Sequence, residues 1–508
     1  MFLQRDSVAL LLLGVLVAIP SAAALELPIE KLTRSDLSAA DQLRVKAITA
    51  KPADFSKPQQ FEAMSAGAAT GKLDLTRNAF SAFSSNITFD QELTFQLGNA
   101  LFDKLWVSSP SSTLASDGLG PLFNARSCSS CHIRDGRGHP PEGGNATSIL
   151  LRLARNAKTP EELAALNAGQ ILNMPDPVYG KQLQDVAVPG LAGEGRVSVT
   201  YSDEPVTFPD GSTVNLRKPK FSISNLASGP LHGGTTFSPR IAQPMIGLGM
   251  IEAIHEADIA ALTDADDANL DGVSGRIALV RDRSGSIQLG RFGWKAQTAS
   301  VRAQSAEAFN GDIGISTPDV PMNYGDCTKP QSKCFEMASG EQAKLGISEA
   351  PDPVMELVTF YSKNLAVPPR RDVANTDVLR GKELFHVSGC TACHQPNFVT
   401  RRDADDPAQA FQLIWPYSDF LLHDMGEGLA DGQQVGLASG TEWRTPPLWG
   451  IGLTRAVSGH TFFLHDGRAR NLEEAVLWHN GEAKSSKLAY MQLMKSDRTK
   501  MLRFLESL

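Results

Sequence analysis

Two copies of the pattern Cys-x-x-Cys-His lie far apart in this chain of 508 residues, at 128–132 and 390–394. Two thiols three residues apart can form thioether bonds to the vinyl groups of one haem, and the adjacent histidine reaches the iron from one side, so the pattern is typical of c-type haem attachment. A thioredoxin-type pair needs no following histidine, and a zinc ribbon needs cysteine pairs only ~15–20 residues apart. The chain is therefore expected to fold around two covalently bound haem c groups. The predicted cofactor-binding residues are Cys128, Cys131 and His132 for one haem, and Cys390, Cys393 and His394 for the other.

The remaining two of the six cysteines, Cys327 and Cys334, lie close together. A disulfide is the expected state of such a pair in an exported protein. A reactive dithiol is the alternative, although Lys329 and Lys333 are the only nearby charges that would activate a thiol. The sequence therefore predicts no free thiol for catalysis in the mature protein.

The first 24 residues predict a cleaved signal peptide. Arg5 precedes an apolar run from Val8 to Ile19, and small residues lead to a cleavage site near Ala24. A membrane anchor is the alternative, but the run is shorter than the ~20 residues needed to span a bilayer. We therefore expect an exported, periplasmic protein with no membrane span after cleavage.

Composition excludes several other classes. The net charge of −8 provides no basic surface for nucleic acid. A hydrophobic fraction of 42% is too high for a disordered chain.

Repeated segments predict two related modules. Gly-x-x-Leu-Phe occurs at 98–102 and at 381–385, ahead of each Cys-x-x-Cys-His motif, and residues 292–312 are similar in length and character to residues 463–482. β-prone runs at 195–201 and 274–282 lie in a long insertion. The expected organisation is an N-terminal extension at 25–90, a first haem domain at 91–370 with the insertion at about 150–290, and a second haem domain at 371–508.

The second module contains two candidates for a further iron ligand. His479 follows a helical pattern that begins at Asn471, a natural N-cap, with Glu474 three residues on. Histidines on apolar helix faces are often ordinary core residues, but this module carries a haem that needs a partner. Met425 is the alternative, and methionine ligation would raise the haem potential.

These motifs, together with EWRTPPLWGIGLT at 442–454 and HDGRARNLEEAV at 465–476, resemble the bacterial di-haem cytochrome c peroxidase superfamily. The similarity is greatest to its di-haem oxidoreductase branch, described as peroxidases or thiol oxidoreductases. It covers about residues 90–508 and is weakest over the insertion. It implies a mainly α fold of two tandem cytochrome c-like haem domains, the first carrying an insertion with some β structure.

The resemblance also implies roles for three residues of the first module. Trp294 matches a tryptophan that relays electrons between the haems, and Gln304 matches a distal glutamine that orients peroxide. Asp312 takes the place of a distal glutamate, one residue earlier and with a shorter side chain, and would move a proton between the two peroxide oxygens. A turn residue and core packing are the alternatives for Asp312 and Trp294. The peroxidases have methionine where this chain has His479, which suggests a bis-histidine second haem of lower potential.

The sixth ligand of the first haem is left open by the sequence. His232 and His255 lie in the insertion, and each could reach the iron or be an ordinary loop or helix residue.

A calcium site is a further candidate. Asp267, Asn269 and Asp271, followed by Gly272, match the first half of a calcium loop, but position twelve is Ala278 and not the usual glutamate. A solvated polar turn is the alternative.

Together these features predict an exported di-haem c-type enzyme, peroxidase-like, that reduces peroxide or a similar small oxidant at the first haem. Electrons would arrive from a small redox protein through the second haem. The alternatives are an electron-transfer cytochrome without peroxidase activity and a di-haem oxidase of an organic, thiol or protein substrate. A distal acid and amide favour an enzyme, because an electron shuttle needs neither. Formation of a homodimer is left open.

Overall fold

A computed structural model describes residue 25 and residues 32–113, 116–141 and 148–508. The predicted signal peptide at 1–24 lies outside the described residues. No helix within the described ranges has the length and apolar character needed to cross a membrane.

Short α-helices are distributed along the whole described chain. They are α1 Ala39–Ile48, α2 Phe89–Phe102, α3 Pro160–Asn167, α4 Leu248–Glu252, α5 Glu256–Ala260, α6 Val301–Ala308, α7 Asp352–Asn364, α8 Thr376–Val387, α9 Thr454–Ser458, α10 Leu472–Trp478, α11 Lys484–Gln492 and α12 Lys495–Ser507.

Within the described residues, the strands pair two by two into seven small sheets. They are β1 Val107–Ser108, β2 Asp117–Leu119, β3 Leu122–Phe123, β4 Ile149–Arg155, β5 Val186–Ala187, β6 Arg196–Thr207, β7 Thr213–Ser224, β8 Thr235–Ile241, β9 Ala278–Arg281, β10 Ile287–Gly290, β11 Phe398–Val399, β12 Leu413–Ile414, β13 Leu422–Asp424 and β14 Glu442–Arg444. β1 pairs with β2 in parallel. The antiparallel pairs are β3–β5, β4–β8, β6–β7, β9–β10, β11–β12 and β13–β14.

The prediction of a mainly α fold is wrong, because the chain is 31% helical and 17% strand. The two β-prone runs of the insertion do contain strands, β6 and β9. The second module also has strands, β11 to β14, which the sequence did not indicate. Strands of two or three residues are too short to show an alternating pattern, so only the tertiary pairing reveals them.

The glycine of Gly-x-x-Leu-Phe lies at a helix crossing in both modules. A Cβ atom on Gly98 of α2 would collide with the backbone of Leu357 on α7, and one on Gly381 of α8 would collide with the backbone of Lys500 on α12. Glycine therefore lets each helix pair approach closely. This explains why the same motif precedes both Cys-x-x-Cys-His segments.

The phenylalanine of each Gly-x-x-Leu-Phe motif packs beside the histidine of the Cys-x-x-Cys-His segment in the same module. The ring centroids of Phe102 and His132 are 6.1 Å apart, and those of Phe385 and His394 are 5.9 Å apart. The motif thus connects a helix crossing to the histidine of the Cys-x-x-Cys-His segment.

Buried cores cross the predicted boundary between the two modules. One core joins Phe80 and Ile246 to Trp449 of the second module. Another joins Phe208 and Leu216, at the end of β6 and on β7, to residues 378–508. The insertion therefore packs on both modules, and the division near residue 370 stays a prediction.

The predicted disulfide is present. Cys327 and Cys334 are bonded, with their Cα atoms 6.3 Å apart. The segment that they close packs on the insertion, where the Thr328 hydroxyl donates a 2.5 Å hydrogen bond to the carbonyl oxygen of Val178.

Candidate functional site

Each Cys-x-x-Cys-His segment lines its own cavity. The first cavity encloses about 1610 Å³ and the second about 1390 Å³, with their open mouths included. Cys128, Cys131 and His132 line the first; Cys390, Cys393 and His394 line the second. The four cysteines form no disulfide, in contrast to Cys327 and Cys334.

Both Cys-x-x-Cys-His segments fold as a tight turn. The backbone N–H of His132 donates to the carbonyl oxygen of Cys128 at 3.0 Å, and that of His394 donates to Cys390 at 3.0 Å. Burial raises the pKa of the Cys128 and Cys390 thiols to about 12. These thiols are therefore neutral and cannot act as thiolate nucleophiles near neutral pH.

In each segment, the Nδ1–H group of the histidine donates a hydrogen bond to a backbone carbonyl oxygen. His132 Nδ1 donates to the carbonyl oxygen of Gln243 at 2.8 Å, and His394 Nδ1 donates to Tyr417 at 2.9 Å. Burial lowers the pKa of both imidazoles to about 4, so they are neutral. A neutral imidazole whose Nδ1–H is held in this way presents Nε2 as a metal ligand.

Buried arginines provide a test of whether haem fits these cavities. Arg137 and Arg444 line both cavities and Arg291 lines the first, and burial lowers the pKa of all three to about 10. Their side chains donate only to backbone carbonyls and, from Arg444, to the amide oxygen of Gln243, among the residues that the structure describes. A buried cation needs an anionic partner. The propionate groups of haem would provide one, so the residues present fit the cofactor.

In the second cavity, His479 lies opposite His394. Their ring centroids are 6.4 Å apart. A metal ion between two imidazoles, with each nitrogen about 2 Å from the metal, would hold the ring centroids roughly 6 Å apart. His479 Nδ1 donates to the carbonyl oxygen of Ala475 at 2.7 Å, so its Nε2 is also available. Met425 lines the same cavity.

The two modules share the same spacing ahead of this histidine. Isolated bridges join Phe292 to Thr298 and Phe463 to Ala469 at the same spacing. Ser300 and Asn471 then cap α6 and α10. Counting eight residues from each cap places Ala308 in the first module at the position of His479 in the second. Ala308 lines the first cavity.

Gln304 lies on the face of α6 that lines the first cavity, one helical turn before Ala308. The Thr298 hydroxyl donates to its Oε1 at 3.0 Å. The amide NH2 of Gln304 is left to donate to a ligand in the cavity.

Asp312 enters the first cavity from a single π-helical turn, Phe309–Ile313, directly after α6. A π turn inserts one residue into a helix, and the first module has one residue more than the second between the helix cap and the Asn-Gly pair. Asp312 therefore corresponds to Glu482. Burial raises the pKa of Asp312, against the opposing effects of the Arg152 guanidinium and a hydrogen bond from Gln182.

Trp294 lies between the cavities and lines both. Its Nε1–H donates to the carbonyl oxygen of Ile241 at 2.9 Å. Sequence reasoning missed two aromatic neighbours, His465 and Trp443, which also line the second cavity. Their rings stack with centroids 3.9 Å apart, and His465 also meets Trp294 edge-on.

Sequence reasoning also missed Gln182, an insertion residue that contacts Asp312. Its Nε2 donates to Asp312 Oδ1 at 2.9 Å. The two residues are 130 positions apart and no motif surrounds Gln182, so no sequence signal identified it.

Two histidines considered for the first iron lie elsewhere. His232 is at the surface, where its Nε2 contacts Lys158 Nζ at 2.8 Å. His255 caps α5 through its ring nitrogen, which accepts from the N–H of Ala257. Neither lines the first cavity.

The candidate calcium loop is exposed, and its side chains contact their own backbone. Asp267 accepts from the N–H of Gly272 at 3.2 Å, and Asn269 accepts from Asp271 at 2.8 Å. Asp271 accepts from Val273 at 2.9 Å. Calcium binding stays a prediction.

His423, next to the second cavity, is held between two acids. Its Nε2 lies 2.8 Å from Asp419 Oδ2, and its Nδ1 lies 2.6 Å from Glu482 Oε2. Burial alone would lower the pKa of His423, but Asp419 and the other hydrogen-bond partners raise it above its usual range. Ligand atoms of Cys393, Asp419 and His423 lie within 4.8 Å of one another, but a thioether at Cys393 would remove its thiolate from any metal set.

A protein-family model described as "Di-haem oxidoreductase, putative peroxidase" matches residues 61–508. No curated protein matches the chain.

Proposed function

Since the chain belongs to the di-haem oxidoreductase family, we propose that it reduces peroxide at the first cavity with electrons that enter through the second. His132 would bind the first iron, and His394 with His479 the second. Cys128, Cys131, Cys390 and Cys393 would attach the two haem c groups.

Ala308 is the observation that carries this proposal. Counting from the helix caps aligns it with His479, and its methyl group cannot bind a metal. His132 would then hold the first iron, and the end of α6 would offer no second histidine to it. An electron-transfer cytochrome needs no iron with a free coordination position, because an iron with two strong ligands can already transfer electrons.

Haem, when bound, supplies a redox-active iron that takes up a small oxidant on a face without a protein ligand. The residues of this chain contribute positioning and proton transfer. Gln304 would donate its amide N–H to the peroxide, and Asp312 would take a proton from the nearer oxygen and return it to the leaving oxygen.

Trp294 would carry electrons between the two sites, because it lines both cavities. The donor would be a small redox protein in the periplasm. The signal peptide predicted at 1–24 and the Cys327–Cys334 disulfide support export.

Stoichiometric reoxidation tests the proposal. Protein with both haems reduced is mixed with hydrogen peroxide without oxygen, and the haem absorbance is followed by stopped flow. We expect one peroxide to oxidise both haems, because its reduction to water takes two electrons and each iron supplies one. Haems that stay low-spin in every redox state and do not respond to peroxide would overturn the enzyme in favour of the electron shuttle.

His479→Ala tests the proposed ligand of the second iron, with Met425→Leu as the matched variant. We expect His479→Ala to remove the low-spin electron paramagnetic resonance signal of the second haem, while both haems stay attached through their thioethers. Met425→Leu should leave that signal unchanged. The opposite pattern would assign the ligand to Met425.

A further inference from the structure

Tyr361, on α7, donates a hydrogen bond to a buried acid close to the first cavity. Its hydroxyl donates to Asp135 Oδ1 at 2.6 Å, and the hydroxyl of Ser81 donates to Asp135 Oδ2 at 2.7 Å. Tyr361 is 1% exposed and Asp135 is 4% exposed. Among the described residues, these two hydroxyl groups are the hydrogen-bond donors to the carboxylate, and no cation pairs with it.

Two features show that the acid is held there against a cost. A buried carboxylate without a cationic partner is unfavourable. Arg134 and Asp135 also have φ angles of 52° and 61°, a left-handed conformation that residues other than glycine rarely adopt. Strain of this kind is concentrated at functional sites. The strained turn after the first Cys-x-x-Cys-His segment brings the carboxylate to the phenol of Tyr361, which indicates a role beyond packing.

Aromatic rings connect Tyr361 to the histidine that would bind the first iron. The ring centroids of Tyr361 and Phe102 are 5.2 Å apart, and those of Phe102 and His132 are 6.1 Å apart. Phenylalanine is much harder to oxidise than tyrosine. Within this group of rings, Tyr361 is therefore the residue from which an electron is most easily removed.

Oxidation of a phenol needs a base that accepts its proton. Burial raises the pKa of Tyr361 above its usual range, and the negative charges of Asp135 and Asp103 raise it further, so the resting phenol keeps its proton. Loss of an electron makes the phenol a strong acid, and its proton must then leave. Burial raises the pKa of Asp135 to about 6, so its carboxylate is ionised at neutral pH. The Oδ1 atom that already accepts the hydrogen bond can therefore take the proton directly.

We propose that Tyr361 and Asp135 form a second electron donor to the first site, used when peroxide arrives while the second site is already oxidised. This inference rests on the proposed function. The O–H bond of Tyr361 breaks, its electron passes to the oxidised first site, and its proton passes to Asp135. The products are a neutral tyrosyl radical, a protonated Asp135 and a first site reduced by one electron. An electron from the redox partner and the return of the proton then restore the phenol.

Freeze-quench electron paramagnetic resonance tests this pair. Peroxide is mixed with protein in which both haems are ferric, so the second site has no ferrous electron to supply. We expect the signal of a tyrosyl radical, which should narrow when the protein carries ring-deuterated tyrosine. Tyr361→Phe should lose this signal, and Asp135→Asn, which removes the base, should lose it as well. Haem content and spectra before mixing should match those of the wild type.

Tyr490→Phe is the matched control. The hydroxyl of Tyr490 donates to Glu473 Oε1 at 2.9 Å in the second module, so this phenol also has a carboxylate partner. Tyr490 does not line the first cavity, and its substitution should leave the radical signal unchanged. A radical of wild-type size in Tyr361→Phe would overturn the proposal.

A photo-oxidant distinguishes this inference from the proposed function. Flash oxidation of the ferric protein by ruthenium tris-bipyridine with persulfate removes an electron without peroxide, and we expect a radical component that Tyr361→Phe lacks. If peroxide oxidises the haems without a radical that depends on Tyr361, the proposed function stands and this inference falls. If peroxide leaves both haems unchanged, the proposed function falls, and the flash experiment alone decides the inference. A flash-induced radical that is the same in wild type and Tyr361→Phe would then overturn it.

Discussion

Ala308→His is expected to convert the first site into a copy of the second. The new imidazole would start from the position of His479 and would bind the iron on the face proposed for peroxide. If it occupies that face for all but about 1% of the time, the apparent rate of the peroxide reaction falls roughly 100-fold. The ferric high-spin signal of the first haem should become low-spin in the same variant.

Ala308→Leu is the matched control for this substitution. Leucine fills a similar volume but offers no ligand, so the first haem should stay high-spin. Steric crowding by the leucine side chain would then slow the peroxide reaction less than Ala308→His does. A high-spin first haem in Ala308→His, with peroxide kinetics like those of the wild type, would show that residue 308 does not face the iron.

Asp312→Asn should give the second large effect. Asparagine preserves the shape of the side chain but cannot take up a proton, so the peroxide reaction should slow by about 10²- to 10⁴-fold, the usual range for a general acid–base group. Stopped-flow reoxidation of the reduced protein measures this rate. Haem content and spectra should match those of the wild type.

The pH profile distinguishes a proton-transfer role of Asp312 from a structural one. The base form must accept the proton, so the rate rises as pH passes upward through the pKa of Asp312. Because burial raises that pKa, the acid limb should lie above the ordinary aspartate value of about 3.9. The Asp312→Asn variant should lack this acid limb. The Asp312→Glu variant should be faster than Asp312→Asn and should retain the acid limb. A limb that persists in Asp312→Asn would assign the titration to another group.

Short-range patterns predicted the local chemistry well. The Cys327–Cys334 bridge follows from a separation of seven residues in a chain that is predicted to be exported. Each Cys-x-x-Cys-His turn is formed by five consecutive residues, so no distant contact is needed to recognise it. Gly98 and Gly381 were visible as parts of a repeated motif, although only the helix crossings explain them.

Sequence patterns failed to predict contacts between residues far apart in the chain and strands of only two or three residues. The strands β11 to β14 of the second module have two or three residues each, too few for an alternating pattern, and this led to the wrong expectation of a mainly α fold. The similarity of residues 292–312 and 463–482 indicated the segments that hold Gln304 and His479. It did not indicate the π turn, because one inserted residue leaves no compositional trace.

The sequence by itself determined that the chain carries two Cys-x-x-Cys-His segments, one disulfide and no further cysteine, since each depends on residues close together in the chain. Tertiary structure decided which side chains meet in each cavity. Folding places Ala308 in the lining of the first cavity and His479 opposite His394 in the second, and it brings Gln182 from 130 residues away to the carboxylate of Asp312. The physical reason is that an open coordination face and a buried hydrogen bond both depend on which side chains converge in space, and spacing along the chain does not specify that convergence.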